Sequence, residues 1–130
     1  MDVKVYSKTK NGEEKLSCNF RVREFACSDG TDPVFIAPAL VKVLQALRDQ
    51  FAAPVTVCSG YRTPAKNKAV GGAQYSQHLY GAAADITVKG VTPQKVAAAA
   101  RELLGNTGGV GRYKTFTHVD VRAGRADWVG

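Results

Sequence analysis

A carboxylate within a run of small apolar residues constrains the fold of this 130-residue chain more than any other feature. Asp85 stands in the run Ala-Ala-Ala-Asp-Ile at residues 82–86, which predicts a β-strand that carries Ala83 and Asp85 on one face. Small apolar residues favour close packing, and a buried carboxylate without a partner costs free energy. We therefore expect the fold to bring a compensating cation to Asp85.

Both histidines of the chain are candidates for binding such a cation together with Asp85. His78 precedes Asp85 in a glycine-containing segment, and His118 stands among apolar residues of a later predicted strand. Catalytic zinc sites take three protein ligands of these types and leave a fourth position open, whereas structural sites are closed, mostly by cysteine. The residues suggest a catalytic zinc site. A solvent-exposed loop histidine and a core histidine bonded to a backbone carbonyl also fit this spacing.

Composition indicates one globular domain with an anionic partner. With 45% hydrophobic residues, the 130-residue chain suffices for one core and is too short for two ordinary domains. Its 18 Lys and Arg against 11 Asp and Glu give a net charge of +7, which favours nucleic acid, a membrane surface or a polyanionic cell wall. Because the basic residues are scattered and do not interleave with aromatic residues, charge alone does not argue for nucleic acid.

Cysteine usage and the amino-terminal sequence bear on the cellular compartment. Cys18, Cys27 and Cys58 are odd in number and form no CxxC motif, so we expect reduced thiols, with a Cys18 to Cys27 disulfide left open. Residues 1–8 lack the apolar core of a signal peptide, and no apolar run approaches the ~18 residues of a membrane span. The expectation is cytoplasmic synthesis without an export signal.

Apolar spacing and capping residues predict two helices. Apolar residues recur at helical steps over residues 38–51, where Pro38 suits the first turn. Thr92 and Pro93 begin a second helix, which Gly105 ends.

Strands are predicted between these helices and after them. Their ranges are 55–58, 82–88, 108–113 and 116–121, the last two forming an antiparallel pair. Side-chain alternation places on one face of the final strand Phe116, His118, Asp120 and Arg122. The Asn-Gly pair at residues 11–12 predicts a hairpin between residues 3–6 and 20–22.

Three short motifs follow one another along the chain. They are Ser-Gly-Tyr-Arg-Thr at 59–63, the pattern Ser-x-His-x-x-Gly-x-Ala-x-Asp at 76–85, and Gly-Val-Gly-Arg-Tyr at 109–113 followed by His-Val-Asp at 118–120. Together they resemble the zinc D-alanyl-D-alanine carboxypeptidases and related L-alanyl-D-glutamate endopeptidases of bacterial and phage cell-wall turnover. The resemblance implies a hedgehog-like α+β domain over residues 20–130, in which helices flank an antiparallel sheet that carries the metal. Residues 1–19 are then an N-terminal extension or hairpin.

The resemblance implies roles for individual residues. One zinc ion would be bound by His78, Asp85 and His118. Arg62 would receive a carboxylate of the substrate and serve catalysis by positioning the peptide, with Tyr61 beside it, and Ser76 would line the site.

One position departs from the pattern of many relatives. They place a histidine two residues before the last zinc ligand, or an acidic residue three before it, to handle the proton of the attacking water. Here these positions are Phe116 and Thr115. Asp120 is the substitute candidate for the catalytic base, because it is the only carboxylate on that strand face. Alternatively, it orients His118 through the ring nitrogen that does not bind metal.

The residues and the resemblance together imply zinc-dependent hydrolysis of an amide bond in peptidoglycan stem peptides, of the carboxypeptidase or endopeptidase type. Zinc would lower the pKa of a bound water and polarise the scissile carbonyl. We expect a monomer that acts at the bacterial cell wall after phage-type lysis, with neither nucleic acid nor membrane as a partner. The alternatives are a catalytically inactive, zinc-containing cell-wall-binding module and a basic nucleic-acid-binding domain.

Overall fold

A five-stranded β-sheet forms the centre of the structure, a computed structural model that describes residues 2–130. The strands are β1 (Lys4–Ser7), β2 (Lys15–Ser17), β3 (Phe20–Arg21), β4 (Pro33–Ile36), β5 (Val55–Ser59), β6 (Ala83–Val88), β7 (Gly109–Arg112), β8 (Thr117–Asp120) and β9 (Ala126–Val129). The helices are α1 (Lys8–Asn11), α2 (Pro38–Phe51), α3 (Pro64–Ala69) and α4 (Pro93–Leu104), with 3₁₀ helices at Val22–Phe25 and Gln77–Tyr80. The central sheet has the order β5-β6-β8-β7-β9, and β1-β4 and β2-β3 form two smaller sheets. The expected α+β class is confirmed.

Helices α2 and α4 pack against each other and against the central sheet. Pro38 occupies the first turn of α2, whose buried side chains are Leu40, Val41, Leu44 and Leu47. At the start of α4 the Thr92 hydroxyl accepts a hydrogen bond from the backbone N–H of Lys95, and Gly105 follows the last helical residue. Both helices match the predicted bounds, because apolar spacing and end-capping residues agree with each other.

Strand β6 carries the carboxylate between two antiparallel neighbours, β5 and β8. Ala84, Ile86 and Val88 belong to the apolar core that the sheet forms with the helices. Asp85 points to the opposite face, because side chains alternate along a strand. The register places Asp85 directly opposite His118 on β8. The predicted alternation therefore removes the carboxylate from the apolar core and pairs it across the sheet.

The predicted hairpin between residues 3–6 and 20–22 is wrong. Strand β1 pairs antiparallel with β4, and β3 pairs with β2. The Asn-Gly pair lies instead at the end of α1. Asp32, just before β4, accepts hydrogen bonds from Ser7 and Thr9, which holds β1 beside a strand that is distant in sequence. Local turn propensity does not reveal such a contact, and the predicted domain boundary after residue 19 stays a prediction.

Strand β9, which no sequence pattern predicts, pairs parallel with β7 at the edge of the central sheet. The expected antiparallel sheet thus ends in one parallel pair. Its residues are half-buried or exposed, so they show no long apolar run. The pairing sets Trp128 opposite Gly111, where any side chain at position 111 would overlap the indole ring.

The state of the cysteines and the apolarity of the helices can be read directly from the structure. All three cysteines are free thiols, of which Cys27 is buried and Cys18 and Cys58 are exposed. The Cys18 to Cys27 disulfide is therefore not formed. Within residues 2–130, no helix combines the length and the apolarity needed to cross a membrane.

Gly81 determines how the 3₁₀ helix Gln77–Tyr80 joins strand β6. Its φ of +68° lies in the left-handed region, which residues with a side chain disfavour. The backbone of Phe35 on β4 approaches so closely that a Cβ atom at position 81 would overlap the Phe35 carbonyl. Since the 3₁₀ helix carries His78, this close approach positions a predicted site residue.

We expect Gly81→Ala to lower the free energy of unfolding by more than Gly90→Ala. Both glycines have a positive φ, +68° and +76°, so alanine costs about 1–2 kcal/mol at either position. At Gly90 a Cβ meets no atom within 4 Å, whereas at Gly81 the overlap with the Phe35 backbone adds about 1–3 kcal/mol. Urea unfolding of the two variants measures the difference, and equal unfolding free energies would contradict the role given to this close approach.

Candidate metal centre

Three of the predicted site residues lie together on one face of the central sheet. The 3₁₀ helix Gln77–Tyr80 supplies His78, β6 supplies Asp85 and β8 supplies His118. One ligand atom from each residue lies within 4.8 Å of the other two, and all three residues are buried. The structure therefore brings together a set that could hold a metal ion. Their role as ligands stays a prediction.

The ring of His78 is oriented by a backbone carbonyl. Its Nδ1 lies 2.8 Å from the carbonyl oxygen of Gly60, and because a carbonyl only accepts, Nδ1 carries the proton and donates it. In the neutral ring Nε2 keeps a free lone pair, and this atom lies 3.3 Å from Oδ1 of Asp85. The backbone N–H of Arg62 donates to the His78 carbonyl at 3.0 Å, which ties the loop after β5 to the 3₁₀ helix. His78 thus presents Nε2 to the centre.

The ring of His118 is oriented by a buried carboxylate. Its Nε2 lies 2.8 Å from Oδ2 of Asp120, and its Nδ1 lies 3.0 Å from Oδ1 of Asp85. Asp120 is 0% exposed, and it accepts hydrogen bonds from Arg122 at 2.9 and 2.7 Å and from the backbone N–H of Gly109 at 2.9 Å. Because this anion accepts a hydrogen bond from Nε2–H, Nδ1 is the atom that His118 presents to the centre. The two histidines therefore use different ring nitrogens.

Hydrogen bonds outweigh burial in setting the charges at this centre. Burial raises the pKa of Asp85, but its interactions with the His118 and His78 rings together lower it by more, so this pKa lies well below its usual range. Burial also raises the pKa of Asp120, and bonds from His118 and Arg122 again lower it by more. Burial lowers the pKa of His118, yet hydrogen bonds to Asp120 and Asp85 raise it above its ordinary value. Both carboxylates are anionic at neutral pH, and two imidazole nitrogens with a carboxylate oxygen suit a divalent ion such as zinc.

A cleft of about 430 Å³ lies over these three side chains, with an aromatic wall. Trp128 packs against the His118 ring with centroids 4.9 Å apart, and its Nε1 donates to the Tyr113 hydroxyl at 2.9 Å. Tyr113 in turn stacks on Phe116 with centroids 4.4 Å apart. Neither Tyr113 nor Trp128 is a predicted site residue, because the β7–β9 pairing that joins them has no signature in the sequence.

The other residues predicted to bind substrate lie in different places. Arg62 lines the cleft, and its Nη2 donates to Oδ2 of Asp85 at 3.2 Å. Ser76 also lines the cleft and caps the 3₁₀ helix that follows it. Tyr61 is not among the residues that line this cleft; it is 8% exposed and packs on Phe35.

The cleft offers no free carboxylate as a base. Among the residues that the structure describes, Asp85 is the only acidic residue that lines it. Phe116 contributes its ring to the wall, and Thr115 is exposed. Asp120 is buried behind His118 with both oxygens bonded.

Comparison with known proteins identifies a family. The model of the family described as Peptidase M15 matches residues 14–120. The matched span contains His78, Asp85 and His118 and includes every strand of the central sheet except β9. No curated protein matches the chain.

We expect replacement of Asp120 to weaken metal binding. Asp120→Asn leaves only a neutral amide at this position, which holds the proton on Nε2 of His118 less strongly than a carboxylate does, so it should lower the affinity for added Zn²⁺ about 10–100-fold. Calorimetric titration against a competing chelator measures this affinity. Asp127→Asn is the matched control, because Asp127 is also paired with arginines but lies outside the metal centre. Equal Zn²⁺ affinity in the two variants would rule out the orienting role.

As the pH is lowered, the metal affinity should begin to fall at a higher pH than it would at a site with an ordinary histidine. A metal ion needs the unprotonated Nδ1 of His118, and hydrogen bonds to the two carboxylates outweigh burial and raise the pKa of that ring. Protons therefore compete for the site from above the ordinary pKa of about 6.5. Below the raised pKa the Zn²⁺ affinity should drop about tenfold per pH unit for this one proton. Titrations between pH 5 and 8 test this. A Zn²⁺ affinity that does not change across that range would refute it.

Proposed function

Since this chain belongs to the peptidase M15 family and is therefore a metallopeptidase, we propose that it hydrolyses an amide bond in peptidoglycan stem peptides with one zinc ion. The observation that carries the proposal is the buried His78, Asp85 and His118 set, whose ligand atoms lie within 4.8 Å of one another beneath a cleft. The family match over residues 14–120 confirms the motif resemblance at the level of the family, and the substrate class is the step beyond it.

Zinc would be held by Nε2 of His78, Oδ1 of Asp85 and Nδ1 of His118. These are the atoms that face one another, and the opposite ring nitrogens already donate to Gly60 and Asp120. A bound zinc ion supplies a Lewis acid that polarises an amide carbonyl and lowers the pKa of water at its open position. Three protein donors and an adjoining cleft suit a catalytic rather than a structural site.

Arg62 is the residue that we assign to substrate carboxylate. It lines the cleft as a cation, and its Nη2 contacts the same carboxylate, Asp85, that would bind the metal. A peptide held here by its carboxylate would lie with a neighbouring amide close to the metal centre. Holding the amide in this position lowers the entropy that is lost in reaching the transition state. Stem peptides carry several carboxylates, and the net charge of +7 favours binding to an anionic wall.

Asp120 acts on His118 rather than on water in this proposal. Its Oδ1 accepts from Gly109 and Arg122, and its Oδ2 accepts from Arg122 and His118. A buried carboxylate with these donors and a strongly lowered pKa is a poor proton acceptor. Of the two roles considered for Asp120, the contacts therefore favour orientation of the His118 ring.

A second candidate is a cell-wall-binding module that holds zinc without catalysis. The observation that favours it is the ring of Phe116 in the cleft wall, at the position where many relatives have a histidine, in a cleft without a free carboxylate. For either function we propose that the protein acts at the bacterial cell wall and reaches it after lysis of the phage type. We also propose that the protein is a monomer.

Zinc-loaded protein should release new amino groups from purified peptidoglycan. Removal of the metal with a chelator should abolish the release, and added Zn²⁺ should restore it in the wild type but not in His78→Ala. Loss of the ligand should cost on the order of 100-fold or more in rate, because the Lewis acid is lost. Mass spectrometry of the products identifies the bond and separates carboxypeptidase from endopeptidase action. Protein that pellets with cell wall and retains zinc but releases no amino groups would establish the binding module instead.

A further inference from the structure

Asn67 is a buried polar residue beside the cleft to which neither the motifs nor the proposed reaction gives a role. It lies on α3 and is 4% exposed. Its Oδ1 accepts a hydrogen bond from Nη1 of Arg62 at 3.3 Å, and its Nδ2 donates to the carbonyl of Ala73 at 2.8 Å. Its own backbone carbonyl accepts from the N–H of Gly72 at 2.8 Å. Both ends of the amide are thus committed, one to the arginine and one to the loop after α3.

The guanidinium of Arg62 is held from three directions. Its Nε donates to Oγ of Ser59 at 3.0 Å, its Nη2 to Oδ2 of Asp85 at 3.2 Å, and its Nη1 to Asn67. A guanidinium has five N–H groups, so one remains on each terminal nitrogen. Two N–H groups on neighbouring nitrogens match the two oxygens of a carboxylate. The hydrogen bond to Asn67 prevents the plane of the guanidinium from rotating while its hydrogen bonds to Ser59 and Asp85 are kept.

An amide at this position orients Arg62 without neutralising it. Asp85 already supplies one negative charge to the guanidinium. A second carboxylate in place of Asn67 would compete with a substrate carboxylate for the same cation. The neutral Oδ1 of Asn67 supplies the hydrogen bond and leaves the charge of Arg62 for the ligand.

Asn67 also sets the distance between Arg62 and one wall of the cleft. Residues 70–73 line the cleft, and Asn67 bonds to two of them, Gly72 and Ala73. A Cβ at Gly72 would overlap the Asn67 side chain and would lie 3.2 Å from Nη1 of Arg62. The loop therefore lies directly against the amide and the guanidinium, and the Asn67 side chain bonds to both.

We propose that Asn67 is a positioning residue that fixes Arg62 for two-point recognition of a substrate carboxylate, and so makes the protein prefer a peptide carboxylate over the corresponding carboxamide. The proposal rests on the proposed function, since it takes Arg62 as the carboxylate-binding residue. The ligand class is a peptide with a free carboxylate next to the cleaved amide.

The test uses the zinc-loaded full chain and a stem pentapeptide, together with analogues in which one carboxylate at a time is replaced by a carboxamide. In the wild type, one such replacement should lower kcat/KM strongly. In Asn67→Ala the ratio of kcat/KM for the carboxylate peptide to kcat/KM for the carboxamide peptide should fall about tenfold. The change should come mainly from a higher KM for the carboxylate peptide, because a hydrogen bond to a charged group is lost. Its kcat/KM for the carboxamide peptide and its Zn²⁺ affinity should stay within about twofold of wild type. Asn67→Asp, of the same size, should lower the preference as well.

Arg62→Ala is the positive control and should show no preference, and Asn106→Ala, an exposed asparagine after α4, should match the wild type. A parallel loss on carboxylate and carboxamide peptides in Asn67→Ala would show a purely structural role and overturn the proposal. If Asn67→Ala does not fold, an unchanged preference in Asn67→Asp overturns it instead. If the wild type binds the peptides without cleaving them, the proposed hydrolysis fails, and the ratio of calorimetric affinities replaces kcat/KM. Equal wild-type affinity for both peptides would then overturn the proposal.

Discussion

The buried carboxylate of Asp85 is the interaction on which the rest of the site depends. It lies within 3.3 Å of both histidines and of Arg62, and it stands opposite His118 in the sheet. Without such partners its burial would be costly, so the side chains that it gathers also make its position tolerable. A slip of β6 by one residue against β8 would turn the carboxylate into the apolar core. The register of the sheet and the geometry of the candidate metal centre are therefore specified by the same pairing.

Around Asp85, outer contacts select which atom each neighbour presents. The Gly60 carbonyl holds the proton of His78 on Nδ1, and Asp120 holds the proton of His118 on Nε2. Asn67 orients Arg62 in a similar way, because its neutral Oδ1 accepts a hydrogen bond from Nη1. Each of these acceptors bonds a different nitrogen from the one that contacts Asp85. The result is a set of side chains oriented before any ligand arrives, which lowers the entropy lost on binding.

Local patterns predict the parts of this protein that depend on neighbours in sequence. The helix over residues 38–51 follows from apolar spacing, and the two faces of β6 follow from alternation. The motif resemblance predicts that the two histidines lie close to Asp85. Pairings between distant segments have no local signature, so the β1–β4 and β7–β9 contacts were out of reach, and with them the place of Trp128. Asn67 stands in a short polar helix whose composition predicts exposure, and only its contacts reveal that it is buried.

The parallel pairing of β7 with β9 has a practical consequence. It sets the indole of Trp128 against the ring of His118, and the chain has one tryptophan. Its emission therefore originates from a single place, in contact with the imidazole that would bind metal. Quenching or a wavelength shift on ligation gives a label-free optical readout of that position, free of background from any other indole.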